Sequence, residues 1–243
     1  MTYCIGLRLN KGLVFMSDTR TNAGVDNIST FRKMHTWVKQ GEAAITLMSA
    51  GNLATTQSVV SILDERTKAV TDRMPSILEQ PSMFQIARLV GETLKEVIAI
   101  NANTGQRASS TFNATLILGG QIKGSDPRMF MIYPEGNFVE ASVDTPFFQI
   151  GEAKYGKPIL VRAYDADMSF EDAVKLMLVS FDSTIKANLS VGLPLDLIAY
   201  KNDEFDFHQE KRIEVDDEYY HNISSGWGDA LRKAFHSLPN FKF

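Results

Sequence analysis

The sequence predicts an α+β fold of stacked layers. Three observations carry this. Strand-like segments come in runs, helical segments come in runs, and the two do not alternate as they would in βαβ units. No internal repeat, low-complexity segment or linker interrupts the chain, so residues 1–243 are expected to form one domain.

The first run opens with Thr2–Leu9, rich in strand formers, followed by a turn at Asn10-Lys11-Gly12 and a second strand over Leu13–Ser17. Thr19–Ser29 is polar, with Asn22, Gly24 and Asn27, and is expected to be a loop. Phe31–Val38 is expected to be a strand carrying Lys33, Lys39–Glu42 a turn, and Ala43–Ser49 a strand running into Ala50-Gly51-Asn52. Leu53, Val60 and Leu63 then keep helical spacing to about Val70, until Pro75 and Pro81 break the pattern. Ser82-Met83-Phe84-Gln85 has the form of a capping box. It introduces a second amphipathic helix marked by Ile86, Leu89, Val90, Leu94, Val97 and Ile98, ending near Asn101–Gly105.

Strands return at Thr115–Leu118, Met129–Tyr133, Phe138–Ala141 and Phe147–Ile150. Helices are expected at Lys157–Tyr164 and after the capping pattern Ser169-Phe170-Glu171-Asp172, the latter burying Val174, Leu178, Phe181 and Ile185. Leu195–Tyr200 and Arg212–Val215 are expected as late strands, and Asp216–Phe235 as a closing helix that Gly226 and Gly228 weaken.

Bulk composition narrows the function classes. The chain has 243 residues, 44% apolar and 22% charged, with a net charge of −4, so nothing draws it to nucleic acid or an anionic membrane. No segment reaches the length of a membrane span, and Met1–Leu9 lacks the basic and apolar regions of a secretory signal. The single cysteine, Cys4, excludes an internal disulfide and fits a reducing compartment; the expectation is a cytoplasmic protein.

Thr2 directly follows the initiator methionine. Removal of Met1 leaves a hydroxyl nucleophile and a free amine on one residue, a recognised nucleophile–base arrangement. Asp18 and Lys33 are the polar partners that such a site requires. Two decoys are set aside. Gly151–Lys157 nearly spells a phosphate-binding loop, but Pro158 stands where Ser or Thr is required. Glu218 and His221, with Asp206, Asp216 and Asp217 nearby, are better explained as a solvated acidic face than as a metal site. No cofactor is expected.

Near-terminal Thr2, Ser17-Asp18-Thr19-Arg20, Phe31-Arg32-Lys33 and Ser49–Ala54 together resemble the proteasome β-subunit family of N-terminal-nucleophile hydrolases, from Thr2 to about Tyr200. Thr21-Asn22-Ala23-Gly24-Val25-Asp26, Ser49–Thr56 and Ile150–Leu160 resemble in particular its bacterial group Anbu, the ancestral β-subunit. The resemblance implies a four-layer αββα sandwich, an active threonine at the mouth between two sheets, and assembly into rings or ring-like homo-oligomers. It implies a threonine peptidase or amide hydrolase acting on peptide or amide substrates, with Thr2 as nucleophile. Lys33 would lower the pKa of the Thr2 amine, Asp18 would hold Lys33, the Gly51 N–H would meet the oxyanion, and Arg20 would support them.

Relatives carry a serine where this chain reads Gln149–Lys154, and an aspartate and serine where it reads Lys186–Gly192; Asn188 or Ser190 could substitute there. These departures keep two alternatives open: a catalytically weak or inactive ring-assembly subunit, and a narrow-specificity amidase. An activating ATPase or operon partner is not legible. Lys201–Phe243 lies beyond the resemblance, and its apolar Trp227–Phe243 stretch is expected to make subunit contacts.

Overall fold

The computed structural model describes residues 1–22, 28–68, 75–104 and 112–243. Ala23–Asp26, the expected helix end at Val70 and the expected helix end at Gly105 lie outside these residues.

Three apolar clusters define four layers, α, β, β and α. One five-stranded antiparallel sheet contains β1 (Tyr3–Leu9), β2 (Gly12–Asp18), β10 (Phe147–Gly151), β11 (Leu195–Lys201) and β12 (Gln209–Ile213), in the order β10-β1-β2-β11-β12. The second runs β5-β6-β7-β8-β9, from β5 (Met34–Lys39) and β6 (Ala43–Gly51) to β7 (Ala114–Ile122), β8 (Arg128–Ile132) and β9 (Phe138–Glu140). Helices α1 (Leu53–Lys68) and α2 (Met83–Thr104) cover the outer face of the second sheet. Helices α3 (Lys157–Ala163), α4 (Phe170–Ala187) and the start of α5 (Glu218–His236) cover the outer face of the first.

Successive strand residues serve different clusters, as a pleat requires. Tyr3, Ile5, Leu7, Val14 and Met16 face α4, whereas Cys4, Leu13 and Phe15 face the opposite sheet. On β6, Ile45 and Leu47 meet α1 and α2, and Ala44, Met48 and Ala50 turn inward. Both sheet faces are covered, so these strands are apolar throughout and show little polar alternation. Each fully buried Leu, Ile or Phe side chain contributes roughly 1.5–3 kcal/mol, which favours this two-sided burial.

Local signals set the element ends. The Asn10-Lys11 turn joins β1 to β2 with Leu9 opposite Gly12. Ser169 caps α4 by accepting from the Asp172 N–H, and Ser82 accepts from the Gln85 N–H at the start of α2. The reciprocal capping box lies upstream, where Ser76 and Glu79 bracket a 3-10 turn at Ile77–Glu79 between the two prolines.

Three expectations need correction. The Thr19–Ser29 stretch is not simply loop: β3 (Arg20–Asn22) pairs with β4 (Ile28–Thr30) as a two-stranded ribbon. Lys33 lies in the connection before β5 and not on the strand. The last strand begins three residues earlier than expected, at Gln209, because its exposed edge carries polar residues that conceal the pattern. The expected closing helix forms: α5 runs through Gly226, where an added Cβ would meet nothing within 4 Å, so an exposed face absorbs the glycine.

Among the described residues no helix is long and apolar enough to cross a membrane.

Candidate active site

The site lies at strand ends, where β1 begins, β2 ends and β6 ends. Thr2 is the residue before β1, and Asp18 is the last of β2, the neighbouring strand. The antiparallel pairing therefore brings the chain start back beside Asp18. The Tyr3 N–H donates to Asp18 Oδ1 at 3.0 Å, which fixes the Thr2–Tyr3 peptide against the carboxylate. The same oxygen accepts from Lys33 Nζ at 2.7 Å. Lys33 Nζ also donates to the Arg20 carbonyl at 2.6 Å. Asp18 is wholly buried and Lys33 is 5% exposed.

Taking an ion pair out of water carries a desolvation cost that its mutual attraction and hydrogen bonds must offset. Burial pushes the Asp18 carboxyl above its ordinary pKa, while the Lys33 ammonium and the Tyr3 and Gly192 N–H groups hold it back. The chain-terminal amine, carried by Met1, is held below its ordinary value by burial and then by Lys33, with Asp18 and Glu152 acting in the opposite sense. Cys4, buried beside this group, has its thiol pushed up by burial and is no nucleophile at neutral pH.

Met1, Thr2 and Lys33 line a cleft of about 690 Å³. Its walls include Phe31, His35, Gly51 and Gln57. Gly51 ends β6 at a φ of +127°, and a Cβ there would run into the Asn113 carbonyl, so the position requires glycine. Asn52 follows as the cap of α1, accepting from the Thr55 N–H at 3.0 Å. This strand-to-helix turn places the Gly51 backbone on the cleft wall across from Thr2.

The residues expected to support the site gather beneath it. Arg20 donates from Nη1 to the Leu189 carbonyl at 3.1 Å and packs its guanidinium against Gly192. Asn188, at the C-terminus of α4, donates from Nδ2 to Glu152 Oε2 at 2.8 Å. Ser190 joins through its backbone, donating its N–H to Asn188 Oδ1 at 2.9 Å. Thr2, Asp18, Arg20, Lys33, Gly51, Asn188 and Ser190 thus converge on one region.

Sequence reasoning missed two groups. His35 had no evident partner; it stands on the cleft wall, where burial lowers its pKa. Glu152 was noted only as a departure from the family's serine. It is 6% exposed and touches Thr2 through its backbone, donating its N–H to the Thr2 carbonyl at 2.7 Å. The available signal was its place just after the strand expected at Phe147–Ile150.

The decoys resolve differently. The phosphate-loop-like stretch packs Gly151 against Thr2 and opens the short helix α3 with Pro158 in its first turn. His221 Nε2 lies 3.0 Å from the Val215 carbonyl, and among the described residues no group of His, Cys, Asp and Glu converges as a metal site.

The layered sandwich with a near-terminal threonine beside a buried Asp–Lys pair defines the class of N-terminal-nucleophile folds. A family profile described as proteasome subunit matches residues 2–192, and the chain belongs to that family. Among solved structures it is similar to an Anbu mutant from Hyphomicrobium sp. strain MC1, with 52% identity, both chains fully covered and a TM-score of 0.92. It is also similar to the chain of a structure titled as the helical assembly of the Anbu complex from Pseudomonas aeruginosa, with 42% identity, 99% of this chain and 98% of that one covered, and a TM-score of 0.90. Among curated proteins it is similar to proteasome subunit beta 2 of Pyrobaculum calidifontis, 25% identical over 195 residues, covering 80% of this chain and 86% of that protein.

Proposed function

We propose that the chain is a proteasome-like threonine peptidase or amide hydrolase whose nucleophile is Thr2, freed by removal of Met1. The observation that carries this reading is the sharing of Asp18 Oδ1 by the Tyr3 N–H and Lys33 Nζ, one peptide from Thr2 at the edge of the cleft. Thr2 Oγ attacks the substrate carbonyl carbon, and its proton passes to the Thr2 amine. The carbonyl electron pair moves to oxygen, where the Gly51 N–H stabilises it. The new ammonium returns its proton to the leaving nitrogen as the C–N bond breaks. Water then adds to the ester carbonyl and loses a proton to the amine; the C–Oγ bond breaks, the ammonium returns that proton to Thr2 Oγ, and the acid leaves. Lys33 keeps the amine neutral enough to serve as base, and Asp18 holds Lys33 in place. The reading puts the protein in the cytoplasm, where Cys4 stays reduced. It also makes the chain its own partner in a homo-oligomer, as the helical Anbu assembly of Pseudomonas aeruginosa suggests.

One observation favours a second reading, a ring-assembly subunit without turnover. Glu152, joined to Asn188, occupies the segment where relatives carry a serine. Intact mass and covalent labelling separate the two. A hydrolase loses Met1, and an electrophile directed at an N-terminal nucleophile forms an adduct on Thr2 in wild type and in Thr2→Ser but not in Thr2→Ala. A chain with free Thr2 that forms no adduct and cleaves no member of an amide library is an assembly subunit.

A further inference from the structure

We infer that Glu152 is a positioning residue for the N-terminal amine: its buried carboxylate, fixed by Asn188, is the counter-charge to the ammonium that forms there. The inference rests on the reading of Thr2 as the nucleophile and goes beyond it, because that mechanism leaves Glu152 unused.

Two backbone contacts deliver Glu152 to the chain start. Gly151 pairs with Tyr3 across β10 and β1, and the Glu152 N–H donates to the Thr2 carbonyl at 2.7 Å. The side chain is then fixed from the far side. Asn188 Nδ2 donates to Oε2 at 2.8 Å, and Asn188 Oδ1 is itself held by the Ser190 N–H at 2.9 Å. Among the described residues the only cation within ion-pair distance is Lys154, whose Nζ is 3.5 Å from Oε1 and which is mostly exposed, so water and salt screen it.

Asp18, by contrast, already has a buried partner in Lys33. Three charged groups therefore face the amine: Lys33 and Asp18 as a pair, and Glu152 as an anion whose cation is largely screened. Arg32 and His35 lie further along the cleft wall. Lys33 opposes protonation of the chain-terminal amine, which Met1 carries in the structure, while Asp18 and then Glu152 favour it. When the amine takes the Thr2 hydroxyl proton, a lysine alone would leave two neighbouring cations. A fixed carboxylate offsets that repulsion at the moment it appears, without reorganisation.

The test is Glu152→Gln, which removes the charge and keeps an oxygen to accept from Asn188. The N-terminal amine is titrated by pH-dependent competitive acylation read by mass spectrometry. This measurement works whichever residue carries the amine and needs no turnover. The expected result is a titration midpoint at lower pH in Glu152→Gln, an intermediate midpoint in Glu152→Asp, and an unmoved one in Lys154→Ala. The acid limb of Thr2 labelling by an N-terminal-directed electrophile should shift with it. A midpoint in Glu152→Gln that stays at the wild-type value, or rises, overturns the inference. If Glu152→Gln does not fold, Glu152→Asp decides in the same way, since it withdraws the charge by one methylene. Labelling of Thr2 with an unmoved midpoint removes the inference and keeps the hydrolase. A moved midpoint in a protein whose Thr2 never forms an adduct removes the hydrolase and keeps the charge pairing.

Discussion

Lys33 Nζ and Asp18 Oδ1 are 2.7 Å apart, and both side chains are withdrawn from solvent. The pair joins the last residue of one sheet's strand to the connection that enters the other sheet. It is therefore a structural clasp and, under the proposed mechanism, the electrostatic setting of Thr2 as well.

Lys33→Ala separates these roles. Loss of the lysine should reduce Thr2 labelling or turnover by about 10²–10⁴-fold, the usual worth of base assistance. It also strands a buried carboxylate, which costs roughly 3–5 kcal/mol. Lower thermal stability should accompany the lost activity. Labelling as fast as in wild type would remove Lys33 from the mechanism.

Gly51→Ala tests the strand-to-helix turn. At a φ of +127°, with the Asn113 carbonyl in the way, alanine must shift the backbone. Strain of this kind costs on the order of 1–3 kcal/mol. The melting temperature should fall and Thr2 labelling should slow, since the same backbone lines the cleft. A variant as stable and reactive as wild type would show that the turn tolerates a side chain.

The sandwich was legible because its strands and helices are long and their apolar spacing regular, as in α2 with Ile86, Leu89, Val90 and Leu94 all buried. The short ribbon of β3 and β4 was not, because three residues a side, polar apart from Ile28, are too few to show an alternation. Thr2, Asp18 and Lys33 were legible through the family resemblance; spacing alone would also have allowed a turn aspartate and a surface lysine. Glu152 was hidden for a physical reason. Its partner Asn188 lies 36 residues further on, at the end of a different element, and only the folded chain brings them together.

Arg20 and Gly192 offer a coupling test. The guanidinium packs on the glycine and reaches the Leu189 carbonyl, tying β3 to the loop that carries Asn188 and Ser190. An alanine Cβ at Gly192 would displace the guanidinium, so Arg20→Ala and Gly192→Ala remove the same contact. Their effects on unfolding free energy should be non-additive by at least about 0.5 kcal/mol. Additive losses would mean that the contact contributes nothing to stability.

The C-terminal helix argues for assembly. Of its 19 residues only Tyr220 is buried, yet Leu231 and Phe235 lie four apart on one face and Leu238, Phe241 and Phe243 continue beyond it, all exposed. Residues four apart share a helix face, so Leu231 and Phe235 form an apolar stripe, with the exposed tail residues following it and no cover in a lone subunit. Water contact with such a stripe is unfavourable, and a second copy of the chain can remove it. Sedimentation velocity at micromolar concentration should show a species larger than a dimer. Phe235→Glu places a charge in the stripe without touching the core, so it should release smaller species while circular dichroism stays that of wild type. A wild type that sediments only as a monomer sinks the assembly proposal. Large species that persist in Phe235→Glu move the contact to another face.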